Sequence, residues 1–324
     1  YYSYPPYNYE ESRNSNPIDL QASGIFGAHF INTVSPTFLK EIVNGWHSFI
    51  PDSIRNEIRN KYYAGCAEGI LNAPDPTDNP VTDDKIPFHY GPENHREMKR
   101  KNKVELQHAL GLEENPDVPL FFWPSRLDPV QKGPQLLTDI TYRFLSKYAD
   151  RGAQIAVIAN GPYQQPFWDI RSFHGLQKRL GVHNFDARLS QLGFAASDFT
   201  LMPSLFEPCG LPQMQAPIYG SLAVVHNTGG LHDTVEMLDV GRSSGNGFVF
   251  DTYDSQGLFW AMDQAMAFYA LPADVRDREI ARIMRESLRR FNHEACAKEY
   301  IKLYEKMLDR PLVREGVSDG ALAG

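Results

Sequence analysis

From residue 119 onward the chain alternates short apolar runs with stretches of helical period. PLFFWPS (119–125) is apolar throughout, and PQLLTDITYRFLSKY (134–148) repeats as an amphipathic helix. QIAVIANG (154–161) is apolar again and ends in Asn-Gly; a helix is expected over 168–180. ASDFTLMPS (196–204), SLAVVHNTGG (221–230) and GFVFDTYD (247–254) read as three further strands, with helices at PQMQAPIYG (212–220) and SQGLFWAMDQAMAFY (255–269). A strand that is apolar along its whole length is buried on both faces, and strands separated by helices pair in parallel. The implied fold class is α/β, a parallel sheet covered by helices. Ligands of such sheets bind beyond the carboxyl ends of the strands, so the segments that follow the strands carry the functional argument.

Upstream the pattern is less regular. IFGAHFINTVSP (25–36) reads as a helix end, a buried strand and a break, and Ser35-Pro36 suits an N-cap followed by proline at the first helical position. Residues 62–94 are dense in Pro, Asp and Asn, and 73–94 is the expected linker. HREMKRKNKVELQHALGL (95–112) reads as a charged amphipathic helix ending near Gly111. The expected organisation is therefore a first segment 1–72, the linker, a main domain 95–290, a final helix 291–310 and a flexible tail 311–324. The opening YYSYPPYNYEESRNSNP has no period and reads as a surface loop.

Composition removes several functions. Lys and Arg number 32 against 40 Asp and Glu, a net charge of −8, and no basic run offsets it, which argues against nucleic acid as a partner. No apolar stretch reaches transmembrane length, so no membrane partner is expected. Cys66, Cys209 and Cys296 are scattered and odd in number, which suggests a reducing compartment, and none has metal-ligand spacing with a histidine. There is no D-x-D triplet, so phosphates are expected to meet Arg, Lys and helix dipoles rather than a carboxylate-held metal, and no metal or cofactor is expected. Of the histidines only His226 is placed at the edge of the site.

Three strand ends gather chemistry. Arg126 and Lys132 bracket a turn that opens a helix at Gly133-Pro134, and two cations at a helix start make an anion site. Two solvated loop cations are the ordinary alternative. Thr228, Gly229 and Gly230 form a tight turn whose bare amides can approach a phosphate, although TGG alone is a weak signal. Glu207, in SLFEPCGLPQM, lies between a strand and a helix, where the helix dipole is expected to hold it ionised. There is no G-x-G-x-x-G and no Walker-type G-K-S or G-K-T. Basic, glycine-rich and acidic elements on one sheet edge describe a site for a ligand that is both sugar-like and phosphorylated.

PSRLDPVQKG, MPSLFEPCGLPQM, YGSLAVVHNTGGLHDTV and GILNAPDPTDNPVTDD, with weaker INTVSPTFLKEI and NHEACAKEYIKLYEKML, run in one order from about residue 20 to 308. In these stretches the chain resembles the bacterial glycogen synthases and plant starch synthases. The match covers the C-terminal half of that family and a stub of its N-terminal half. The resemblance implies a GT-B fold, with a C-terminal Rossmann-like domain and a remnant of a second, acceptor-side Rossmann-like domain. It implies transfer of glucose from ADP-glucose, or UDP-glucose, to the non-reducing end of an α-1,4-glucan with retention. A nucleotide sugar and an α-glucan are the expected partners, and the cytoplasm (the plastid in a plant or alga) is the expected location.

By the same resemblance Arg126 and Lys132 hold the diphosphate, and Glu207 serves the glucose. Cys209, Gly210 and Leu211 offer amides to its hydroxyls. Thr228, Gly229 and Gly230 lie near the phosphates, and Phe185 stacks on the base. The chain departs from the family at Leu205, where arginine is usual, at Pro212, which lacks an amide donor, at His226-Asn227, and at Ala73-Pro74. It contains no K-x-G-G-L loop, so an N-terminally incomplete chain is expected, inactive as it stands. Two alternatives stay open. One is another retaining GT-B transferase, which the Gln at position 215 disfavours because many of those carry a second glutamate there. The other is a non-catalytic nucleotide- or glucan-binding module.

Overall fold

A computed structural model describes residues 14–312; residues 1–13 and 313–324, where a surface loop and most of a flexible tail are expected from the sequence, lie outside the described residues. The chain divides into two units, one made of residues up to Leu71 together with those from Ala297, the other of Asn72–Cys296.

The first unit holds α1 (Leu20–Gly27), β1 (Ile31–Thr33), α2 (Pro36–Asn44), α3 (Asp52–Tyr63) and β2 (Ala67–Gly69). The Ser35 hydroxyl accepts from the Phe38 amide at 2.9 Å, with Pro36 leading the helix, so α2 starts where the sequence places it. α2 buries Phe38, Leu39, Ile42 and Val43. β1 and β2 pair in parallel with Ile31 opposite Ala67, but two three-residue strands cannot cover each other, and the strand expected to be buried is half-exposed. The residues of the last helix from Ala297 onward belong to this unit: Asn32 donates to the Tyr300 hydroxyl at 3.1 Å, and Lys306 pairs with Glu68.

The second unit contains α4 (His95–Leu110), β3 (Leu120–Trp123), α5 (Pro134–Lys147), β4 (Gln154–Ile158), α6 (Gln164–Phe173), β5 (Leu180–His183) and α7 (Ala187–Ala196). There follow β6 (Phe199–Met202), α8 (Pro212–Ile218), β7 (Leu222–His226), α9 (Gly229–Thr234), β8 (Gly247–Phe250), α10 (Ser255–Tyr269), α11 (Ala273–Arg290) and the start of α12 (His293–Leu308). Six strands form one parallel sheet in the order β5-β4-β3-β6-β7-β8. One core lies on the face covered by α5 and α10, built on Phe121, Phe144, Phe199 and Met262. The other lies under α4 and α7 around Leu106, Phe122, Phe194 and Tyr219. The helix expected over 168–180 runs over Gln164–Phe173, and β5 is an edge strand that the apolar pattern does not announce.

Residues 73–94, expected as a linker, have no helix or strand but are built into this unit. Ile86 and Tyr90 are core residues. The Tyr90 hydroxyl donates to the carbonyl of Tyr219 at 2.8 Å, and the Tyr219 hydroxyl donates to Asp83 at 2.7 Å. Pro and Asp density here marks an irregular path whose polar groups are satisfied by the domain it crosses.

The strand order reverses at β3. From β3 the chain moves outward through β4 to β5, then returns to lay β6 on the other side of β3, with Phe121 in register with Phe199. The loops leaving the carboxyl ends of β3 and β6 therefore part from one another, and the crevice between them is where open parallel sheets bind ligands.

Candidate active site

The loop after β3 carries Arg126 and Lys132, and the loop after β6 carries Ser204 and Glu207. Lys132 Nζ lies 2.5 Å from Glu207 Oε2, and Ser204 Oγ donates to the same oxygen at 3.0 Å. Glu207 is 5% exposed. The acid is thus held by a cation 75 residues earlier in the chain. The pair bridges the two loops of the crevice, and the partner is Lys132 rather than the start of the short α8.

Close backbone approaches fix these loops. Gly133 has φ +72°, and a Cβ there would fall 2.2 Å from the Pro203 carbonyl oxygen. A Cβ on Gly230 would fall 1.9 Å from the Cys209 carbonyl oxygen, so the turn after β7 passes against the backbone of the Glu207 loop. There the Gly230 amide donates to the Glu207 carbonyl at 2.8 Å. The Thr228 amide donates to the His226 carbonyl at 3.0 Å. Two of the amides expected to be bare are therefore used inside the protein. His226, buried at the edge of the site, donates from Nδ1 to the Ser204 carbonyl at 2.8 Å and so braces the residue that braces Glu207.

The amides of Cys209, Gly210 and Leu211 find no acceptor among the described residues, and Gly210 has φ +73°. Successive undirected amides in such a turn suit a ligand's oxygens. The Cys209 side chain is buried, and burial pushes its thiol above the ordinary range, so it is a packing residue and not a thiolate.

Arg126 is exposed and makes no ion pair or hydrogen bond among the described residues. It lines a cavity of ≈ 580 Å³ together with Leu127, Asn160, Gly161 and Phe185, between the ends of β3 and β4. Phe185 is half-exposed, and its amide donates to Asn160 Oδ1 at 2.9 Å. The structure thus brings Arg126 and Phe185 to one cavity and Lys132 to Glu207. Ser204 and Asn160 were not singled out from the sequence. Asn160-Gly161 at a strand's carboxyl end was the available signal for one, while Ser204 carries none beyond its place three residues before Glu207. Among the described residues no group of three or more His, Cys, Asp or Glu side chains is placed to hold a metal ion, and no helix is long and apolar enough to cross a membrane.

The model of the family described as "Glycosyl transferases group 1" matches residues 107–281, more than half of the chain. The chain belongs to this family. It is 34% identical over 306 residues to a glycogen synthase from Thermosipho melanesiensis, covering 94% of this chain and 61% of that protein. It is 37% identical over 294 residues to a glycogen synthase from Thermotoga maritima, covering 90% of this chain and 57% of that one. Among solved structures, the catalytic domain of starch synthase IV from Arabidopsis thaliana bound to ADP and acarbose superposes with a TM-score of 0.78 at 29% identity, covering 91% of this chain and 58% of that one. A sucrose-phosphate synthase from Thermosynechococcus elongatus shares the fold with a TM-score of 0.55 at 17% identity, covering 86% of this chain and 67% of that one. The fold is α/β of the GT-B type. The chain spans about three fifths of the length of the glycogen synthases it matches.

Proposed function

We propose that this glycosyltransferase chain carries the donor side of a retaining glucosyltransferase that moves glucose from ADP-glucose, or UDP-glucose, to the non-reducing end of an α-1,4-glucan. The observation that carries the reading is the buried Lys132–Glu207 pair at the switch point of the sheet, beside the cavity shared by Arg126 and Phe185. In glycosyl transfer the diphosphate departs as an anion while the sugar becomes cationic. Preorganised charges of opposite sign are the largest catalytic lever for such a step. Arg126 and Lys132 hold the diphosphate. Glu207 binds the sugar and favours its cationic transition state. The Cys209–Leu211 amides donate to the sugar hydroxyls, and Phe185 stacks on the base. The acceptor hydroxyl gives its proton to the departing phosphate, so no separate side-chain base takes part. Phosphate charge is met by side-chain cations, without a metal.

The glycogen synthases and the starch synthase it is similar to support the glucan as acceptor. Glu207→Ala in the full-length protein is expected to lower transfer by at least about 10²-fold while ADP still binds. If ADP binding disappears with it, Glu207 is a structural residue and the assignment fails.

A further inference from the structure

A second cavity, of ≈ 120 Å³, lies at the opposite edge of the same sheet, at the amino ends of β3 and β6. Asp198, which immediately precedes β6, marks that edge by accepting from the Leu120 amide at 2.8 Å. One face of α4 lines the cavity with His95, Arg96, Lys99, Arg100 and Lys103, and α11 adds Arg276. Three carboxylates on its wall match three of the cations. Asp277 pairs with Arg96 at 3.0 Å, Asp117 with Arg100, and Asp198 with Lys103 at 2.6 Å.

Lys99 and Arg276 are left without a carboxylate partner. Lys99 Nζ donates to the carbonyls of Phe194 at 3.4 Å, Ala195 at 3.1 Å and Tyr219 at 2.9 Å, which use all three of its protons. The Arg276 guanidinium lies 4.5 Å from the centre of the Tyr269 ring, and its buried Nε has no hydrogen-bond partner. His95 is 5% exposed. Its Nδ1 donates to the Pro92 carbonyl at 2.9 Å, and its buried Nε2 has no hydrogen-bond partner, the nearest carboxylate oxygen, on Asp277, being 3.9 Å away. Burial holds this imidazole below its usual pKa, so Nε2 is an acceptor in search of a donor.

The wall therefore offers one cation outside its ion pairs with an unused donor, Arg276 at Nε, and one unused acceptor, His95 Nε2. We propose that this cavity is a binding site for inorganic phosphate in its hydrogen-phosphate form. The anionic oxygens meet Arg276, and the P–OH donates to His95 Nε2. The volume is that of about four waters at roughly 30 Å³ each, room for one tetrahedral oxyanion. Sulfate has the same shape and charge but no hydroxyl at neutral pH, and a phosphomonoester dianion has none either, so both are poorer ligands.

The test is calorimetric titration near neutral pH of Arg126→Ala/Lys132→Ala protein, in which the candidate active site no longer competes for phosphate. Inorganic phosphate is expected to bind at one site with Kd below about 1 mM, and about tenfold or more tighter than sulfate, since the hydrogen bond to His95 is made by one and not the other. Adding Arg276→Gln is expected to abolish binding. Adding His95→Phe instead is expected to erase the preference over sulfate, a reading that does not depend on the arginine variant folding. Phosphate and sulfate binding alike, binding untouched by either substitution, or no binding below about 10 mM overturns the proposal.

Discussion

At the scale of single residues, Lys132 and Glu207 form a buried charge pair in the candidate site. Both side chains are largely withdrawn from water, at 13% and 6% exposure. Removing one partner of a buried pair leaves the other charge uncompensated. Lys132→Ala is therefore expected to destabilise the protein by about 3 kcal/mol, read as a shift of the urea midpoint. Lys132→Ala/Glu207→Gln is expected to be more stable than Lys132→Ala alone, because the orphaned carboxylate is gone. A double variant no better than the single one contradicts this view of the pair.

Lys99 makes a second residue-scale prediction. Burial is the main cause that lowers its pKa, from 10.5 to about 7, so between these values the unfolded chain binds a proton that the folded one does not. Stability then rises with pH from about 7 upward, and the burial penalty is fully present below that. Comparison of urea midpoints at pH values from about 7 to 8.5 is expected to show this rise in the native protein and its loss in Lys99→Met. Of the carbonyls that Lys99 serves, that of Tyr219 keeps the Tyr90 hydroxyl as donor at 2.8 Å, which makes the variant tolerable.

At the scale of elements, the loops that leave the sheet are locked by backbone contacts that only glycine allows. Gly230→Ala puts a methyl into the Cys209 carbonyl, an atom of the backbone that cannot swing aside. The variant is expected to lose nucleotide binding by more than about tenfold through displacement of the Glu207 loop, with the sheet retained in circular dichroism. Unchanged binding means that the turn after β7 does not position that loop.

The alternating pattern was enough to read five of the six parallel strands, because each is apolar on both faces. β5 escaped it for a physical reason. Its four residues include Gly181, over which the Leu110 side chain packs so closely that a Cβ would meet it at 3.0 Å, and the strand ends in the exposed His183. Edge position and helix contact, not apolar sequence, make it a strand. β2 is similar, since Ala-Glu-Gly has no strand pattern and is held by pairing with β1. The stretch 73–94 read as a linker because turn-forming residues are dense there, whereas long-range partners such as Tyr219 give it its place.

At the scale of the whole molecule, strand order is what converts scattered residues into a site. Arg126, Lys132 and Glu207 could each be named from the sequence as following a strand. That β3 and β6 are neighbours, and that Lys132 therefore reaches Glu207, follows from the sheet order, which alternation alone does not encode. Ser204 and Asn160 were hidden for the same reason: their importance lies in what they touch across the crevice. The same parallel sheet presents two opposed edges, one with the proposed donor site and one with the basic cavity, both within Asn72–Cys296.

The measurement that bears most directly on the donor site is calorimetric titration of this chain with ADP, UDP and GDP in the presence of EDTA, beside the Arg126→Ala/Lys132→Ala variant. Saturable binding of ADP or UDP by the native chain, unaffected by the chelator and weakened about 10²-fold or more in the variant, is the predicted result. Equal affinity in the variant, or binding that vanishes with EDTA, would contradict the assignment of Arg126 and Lys132 as the groups that neutralise the diphosphate.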